Sequence, residues 1–354
     1  MNNVKSRPAT RRLAMMLGAI AAIVLLSLAL PFTGLLLDDG AGPQAQAQTS
    51  AAQASATPEL DKGFGESNPR ANYWKAVRAG NAGYTAVRGP EAGVLIQNGG
   101  VNWRALRNGP IAFWGSVALA VMAVLIVLFH LLRGRVKIEG GRSGMTVPRW
   151  SALERLLHAL VAISFVILLV TGLSMLYGRN VLIPVIGKDA FAAWMALGKI
   201  LHNYSGPVFG VSLVLLLLKL LPANIPNGTD IKWFLSGGGL IGRGHSSAGR
   251  MNAGEKLWFW LLATFGVAVI VTGLYLILDP ALPRDQAQTM LIVHAACALL
   301  VMAVAIGHVY IGTLGTEGSL EGMSTGRVDV AWAKQHHDLW YAEMQQKGVR
   351  PEQR

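Results

Sequence analysis

Five long uncharged stretches dominate the chain, running from Ile111 to Leu132, Leu156 to Tyr177, Ile200 to Leu218, Leu257 to Leu278 and Gln286 to Thr316. A helix crosses a bilayer in about 20 apolar residues, and hydrocarbon offers no partner to a free backbone N–H or C=O. Such stretches fold as α-helices packed on one another, so the expected class is an all-α integral membrane protein. Composition agrees, with 52% of the 354 residues hydrophobic and only 14% charged, against roughly 25% charged in an average soluble domain. The formal charge of +12 does not mark a nucleic-acid binder, because the basic residues lie in short loops beside apolar runs. A single cysteine, Cys297, excludes an intramolecular disulfide and any cysteine-ligated zinc or iron–sulfur site within this chain.

The loops set the orientation. Arg133 to Arg155 holds six Lys/Arg and Lys219 to Lys256 holds five, whereas Gly178 to Lys199 holds three and Asp279 to Asp285 only Arg284. The positive-inside rule makes the first two loops cytoplasmic and the other two periplasmic. At the start, Lys5, Arg7, Arg11 and Arg12 precede an uncharged run from Leu13 to Leu37, and Ala45-Gln46-Ala47 resembles a cleavage site. Residues 1–47 are thus a signal peptide or an uncleaved anchor. Residues 48–110 read as a periplasmic linker and segment, Ala/Gln/Ser/Pro-rich and then Trp/Tyr/Gly-containing, with too few apolar residues for a core. Residues 111–132 form one transmembrane helix, 150–316 a four-helix domain, and 317–354 a polar cytoplasmic C-terminal tail in which His336 and His337 are expected to be solvated or to make an interaction.

Histidines interrupt the four-helix domain at chosen depths. Each residue of an α-helix turns about 100° and rises about 1.5 Å, so His294 and His308, fourteen apart, face within about 40° of each other some 21 Å apart along one helix. His158 stands near the cytoplasmic start of its helix, level with His308. His202 stands near the periplasmic start of its helix, level with His294. A single membrane histidine is more often a hydrogen-bonded packing residue than a ligand, but four forming two depth-matched pairs is the arrangement that two bis-histidine b-type haems require. Small residues nearby, among them Gly172, Gly206, Gly210 and Gly307, let a flat macrocycle approach the backbone, although they also serve plain helix packing. His130 has no depth partner, sits at a helix end and reads as structural or interfacial, His245 lies in a Gly/Ser-rich loop, and Cys297 reads as an inert thiol.

The stretch Met251-Asn252-Ala253-Gly254-Glu255-Lys256 opens a helix at the cytoplasmic boundary, level with His158 and His308. Its polar side chains could hydrogen-bond and protonate a quinone carbonyl. An ordinary helix start, with Asn252 as N-cap and an early Glu255, accounts for them equally well. No acidic residue lies in the central part of any span, so a proton-carrying path has little to be built from. On the periplasmic side, Trp103, Arg104 and Arg107 read either as a surface for a partner subunit or as a headgroup anchor.

At these residues the chain resembles the gamma (cytochrome b) subunit of respiratory, membrane-bound formate dehydrogenases. The stretches that carry the resemblance include Glu154-Arg155-Leu156-Leu157-His158, Gly198-Lys199-Ile200-Leu201-His202, Met251 to Lys256, Leu291-Ile292-Val293-His294-Ala295-Ala296, His308-Val309-Tyr310, Gly318-Ser319-Leu320-Glu321-Gly322-Met323 and Trp332-Ala333-Lys334-Gln335-His336-His337. They fall in the family's order between about Trp150 and Glu343. The resemblance implies a four-helix di-haem bundle preceded by one extra N-terminal transmembrane helix. It implies two haem b, the inner one ligated by His158 and His308 and the outer by His202 and His294. It further implies a quinone contacted by Asn252, Gly254 and Glu255, an iron–sulfur beta subunit, a molybdenum- or tungsten-containing alpha subunit that oxidises formate, and residence in a bacterial inner membrane. A cytochrome b subunit of a nickel–iron hydrogenase or related molybdenum oxidoreductase, and a membrane anchor without redox function, are the alternatives.

Overall fold

A computed structural model of the chain describes residues 100–239, 246–279 and 282–353. The signal peptide or anchor at 1–47, most of the segment at 48–110, and His245 lie outside the described residues. Five helices are long and apolar enough to cross a membrane, one for each uncharged stretch: α1 (Asn102–Arg133), α2 (Ala152–Val181), α3 (Ile183–Asn224), α5 (Ala253–Leu278) and α6 (Arg284–Gly315), with the short α4 (Gly228–Leu235) between the third and fourth.

Local chemistry sets where these helices begin. Ser151 caps α2, its hydroxyl accepting the N–H of Glu154 while the Glu154 carboxylate accepts the N–H of Ser151. Asn252 and Glu255 do the same for α5, and Asn227 with Asp230 for α4. Three π turns interrupt the spans, at Arg107–Ile111, which contains Pro110, at Leu262–Gly266 and at Ile311–Gly315; a proline has no N–H to give to the regular ladder.

Burial in the spans does not sort by polarity as in a soluble protein: beside Phe209, Leu213 and Val301, hydroxyl side chains are buried too. The buried positions of α2, α3 and α5 include Ser164, Thr171, Ser174, Ser212 and Thr272, and each hydroxyl donates to a carbonyl one turn back. Large apolar side chains such as Ile163, Val166, Leu218 and Leu257 point outward instead. Lipid covers that outer surface, and small residues let the helices close on one another. Neighbouring pairs are α2 with α3, α3 with α5, α5 with α6, and α6 with α1.

One end of the bundle carries a folded cap. β1 (Met145–Pro148) pairs antiparallel with β2 (Arg327–Asp329) and with β3 (Glu352–Gln353), in the order β2-β1-β3. Around the sheet lie α7 (Ser319–Thr325), α8 (Val330–His336) and α9 (Asp338–Gln346). Between them Ile138, Val147, Val328, Trp332, Trp340 and Tyr341 form a hydrophobic cluster. Gly326, at φ 84°, reverses the chain between α7 and β2, where a Cβ would meet the Trp150 carbonyl oxygen at 2.9 Å. This end is called the sheet end; the α2–α3 and α5–α6 turns form the hairpin end. The polar tail read from the sequence is therefore a packed element: its spacing of apolar side chains is too short and irregular to announce a core, and their partners, Ile138 and Val147, come from a loop almost two hundred residues earlier.

Candidate metal centres

The two depth-matched pairs are side by side. The ring centroids of His202 on α3 and His294 on α6 are 6.2 Å apart, and those of His158 on α2 and His308 on α6 are also 6.2 Å apart. An imidazole nitrogen bonds a metal at about 2 Å and lies about 1.1 Å from its ring centre, so two imidazoles on opposite sides of one ion have centroids about 6 Å apart. Both pairs match this separation. Among the described residues no cluster of three or more His, Cys, Asp or Glu could hold a bare ion, so a pair of this kind suits a metal whose remaining ligands come from a macrocycle.

Hydrogen bonds orient the rings near the hairpin end. The Thr171 hydroxyl donates to the Ile167 carbonyl and so accepts at its oxygen; it lies 2.8 Å from His202 Nδ1. His294 Nδ1 lies 3.1 Å from the Thr272 hydroxyl oxygen and 3.1 Å from the Val269 carbonyl oxygen, which can only accept. Both Nδ1 atoms are therefore N–H donors, which leaves each Nε2 lone pair for a metal, the usual disposition of a ligating histidine. Each threonine is followed by a glycine that the ring crosses: a Cβ on Gly172 would stand 3.5 Å from His202 Cε1, and one on Gly273 would stand 3.1 Å from His294 Cε1. The two supports are one tetrapeptide used twice, Val170-Thr171-Gly172-Leu173 on α2 and Val271-Thr272-Gly273-Leu274 on α5. The sequence reading named Gly172 and missed both threonines; the repeated tetrapeptide was the signal that pointed to them.

A cavity of about 200 Å³ opens between the helices here, lined by His202, His294, Gly172, Gly206, Gly273 and mostly apolar side chains. A flat apolar group held by two axial imidazoles fits such walls. At the sheet end, the indole of Trp258 stacks on His308, with centroids 5.1 Å apart and planes 17° apart.

Gly254 and Glu255 lie about one turn before Trp258, and Asn252 caps the helix just ahead of them. The Asn252 side chain accepts the Glu255 N–H at 2.9 Å and Glu255 Oε2 accepts the Asn252 N–H at 2.8 Å, the helix start expected as the plainer reading. Glu255 Oε1 remains turned to Arg149, whose Nη2 is 3.3 Å away. Arg149 is buried, stacked among Trp150, Trp332 and Trp340, and its Nη2 also lies 3.0 Å from His337 Nε2. His337, expected to be solvated or to interact, is 1% exposed. Its Nδ1–H donates to the Gly249 carbonyl at 2.8 Å, so its Nε2 accepts from Arg149. Burial, and then the Arg149 charge, hold His337 well below its usual pKa, in the neutral form.

His130 and the arginine pair separate. His130 Nδ1 meets the Tyr310 hydroxyl at 3.0 Å and ties α1 to α6, a structural role. Arg104 is exposed, whereas Arg107, read with it as part of an outward surface, turns in and donates to the Met175 carbonyl at 2.9 Å. The π turn at Arg107–Ile111 changes the phase of α1 there.

Residues 149–326, half of the chain, match the prokaryotic cytochrome b561 family. The nitrate-inducible formate dehydrogenase cytochrome b556(Fdn) subunit of Escherichia coli K12 is 28% identical over 213 residues, covering 58% of this chain and 95% of the relative. The formate dehydrogenase cytochrome b556(fdo) subunit of the same organism is 29% identical over 204 residues, 56% of this chain and 93% of the relative. The formate dehydrogenase cytochrome b556 subunit of Haemophilus influenzae is 27% identical over 199 residues, 53% and 79%. All four paired histidines and Asn252, Gly254 and Glu255 fall inside the matched residues, α1 and the Trp332–Trp340 part of the cap outside them. With its helices, its paired histidines and this match, the chain is a membrane cytochrome b belonging to the prokaryotic cytochrome b561 family.

Proposed function

We propose that the chain is the electron-carrying membrane subunit of a respiratory formate dehydrogenase, holding two haem b and delivering electrons to a quinone. The observation that carries this is the pair of 6.2 Å histidine separations, one near each end of the bundle, with α6 supplying a member to both. His202 and His294 would hold one group and His158 and His308 the other. Bound haem b takes up and releases one electron at a time, the chemistry that a transmembrane electron carrier needs.

The chain's own residues do the rest. Thr171, Thr272 and the Val269 carbonyl fix the ring tautomers, and the apolar cavity walls keep water from the outer pair. At the sheet end, Glu255 is the carboxylate one turn before Trp258, the indole that stacks on His308, and Asn252 and Gly254 belong to the same capping turn, where a quinone carbonyl would meet polar groups. The excess of Lys and Arg in the sheet-end loops supports a cytoplasmic position for that end. An iron–sulfur beta subunit, bound to a molybdenum- or tungsten-containing alpha subunit, would then approach the hairpin end from the periplasm. Uptake of protons on one side and release of formate's proton on the other conserves energy without a channel, in keeping with spans that lack central carboxylates.

Reduced-minus-oxidised spectra and haem quantification on the purified protein test the reading. Two non-covalent b-type haems per chain, with co-purifying subunits reduced by formate, are expected. One haem, no haem, or partners that carry nickel and respond to hydrogen would reject it.

A further inference from the structure

The cavity beside His202 and His294 has a charged rim that the histidines leave unexplained. Apart from them, its polar lining is Arg107, Lys199 and Asn203, and among the described residues lining it there is no carboxylate. Arg107 comes from α1, which precedes the residues matched by the family. Arginine inside a membrane span is costly unless its charge is answered. The acceptors that Arg107 meets, the Met175 carbonyl at 2.9 Å and the Asn108 side-chain oxygen at 2.8 Å, are both neutral. Its other contact is the Trp103 ring, whose centroid lies 6.0 Å from the guanidinium carbon. A guanidinium has five N–H donors, so three are without an acceptor among the described residues, and no carboxylate lining the cavity there answers the charge.

The position is built. A Cβ on Gly115 would overlap the Leu299 side chain, so α1 sits hard against α6, and the Tyr177 hydroxyl donates to the Ala112 carbonyl at 2.8 Å, pinning α1 to α2. Met175 follows Thr171 on a helix running toward the hairpin end, and Lys199 precedes His202 on a helix running away from it. Both cations are therefore displaced from the histidines in the same direction, toward the hairpin end.

We infer that Arg107, with Lys199, forms the carboxylate-binding end of this cavity and holds the two propionates of the haem that His202 and His294 would ligate. Haem b is an apolar plate with two carboxylates on one edge, and this cavity is an apolar slot with two cations on one rim. The extra helix α1 is in this reading part of the cofactor site. The inference rests on the proposed ligand role of the two histidines.

Optical redox titration of the intact complex separates the two ideas. In wild type, two haem components should titrate; the absence of a second overturns the two-haem reading itself and this inference with it. In Arg107→Gln, the midpoint of one component should fall, because uncompensated carboxylates favour the more positive oxidised iron, while the other stays in place, and Arg107→Lys should restore most of the shift. Loss of that one haem from Arg107→Gln with retention in Arg107→Lys supports the inference equally. Wild-type midpoints and haem content in Arg107→Gln would overturn it, leaving Arg107 as a clip on the Met175 carbonyl.

Discussion

Thr171 and Thr272 work through the imidazoles they touch. Their hydroxyls donate to their own helices, so toward the rings they are acceptors, and each fixes which nitrogen carries the proton. Removing such a partner typically costs about 10- to 100-fold in metal affinity. Thr171→Val, nearly the same shape, should speed loss of one haem to apo-myoglobin by about that factor; a wild-type transfer rate would refute the orienting role. Glu255 has one oxygen committed to the Asn252 N–H and one turned to Arg149. Glu255→Gln keeps a side-chain oxygen for the cap and removes the ionisable group. Reoxidation of the haems by quinone should slow while reduction by formate continues, and unchanged reoxidation would leave Glu255 a helix cap only. The capping chemistry was legible from Asn252 and Glu255 three apart; the Arg149 contact was not, because it joins residues 106 apart in sequence.

At the scale of elements, the cap over the sheet end is held by neutral His337 and by two carboxylates. Asp329 accepts from Ser143 and Ala331, and Asp338 from Ala248 and Ser247; for both, burial raises the pKa but these hydrogen bonds outweigh it and leave the carboxyl below its usual range. Their contribution is present above the ordinary carboxylate pKa of about 4 and is lost only below it. His337 behaves oppositely to a salt-bridged histidine. Its folded pKa lies well below its usual value, so the unfolded cap binds a proton that the folded cap refuses, and stability falls as pH drops below about 6.5. Limited proteolysis between pH 7 and pH 5 should therefore cut the cap increasingly, and His337→Gln should remove that dependence. A flat profile in wild type would count against the buried neutral histidine. Each span, in contrast, was readable in advance, since an uncharged run has one stable solution in lipid. The ends of α2, α5 and α6 fall within about four residues of their runs, whereas α1 begins at Asn102 and α3 already at Ile183. Most of the stretch read as the Gly178–Lys199 loop is therefore helix, its charged residues continuing the helix beyond the uncharged run. The three-stranded sheet was not, because strands of four, three and two residues carry no period.

For the whole molecule, one helix serves two sites. The fourteen residues between His294 and His308 separate the pairs by about 21 Å, far beyond shared packing, so changes at one should not reach the other. His294→Ala should lose one haem and leave the spectrum of the second intact. Loss of both would mean that α6 is ordered only when its hairpin-end pair is filled. Depth matching made the pairs visible in the sequence because period and length are enough to assign a level. The direction of Arg107 was hidden by a π turn, which shifts the phase of every residue before it.

The crossing of early and late segments also governs how the protein is made. Among the described residues β1, at 145–148, pairs with the strands at 327–329 and 352–353, and each histidine pair waits for α6. While the ribosome is still translating α5, the membrane already holds His158 and His202 without their counterparts, and β1 has two open edges. Maturation is accordingly a late event, and a nascent chain arrested before residue 284 has no completed pair to which a cofactor could be delivered.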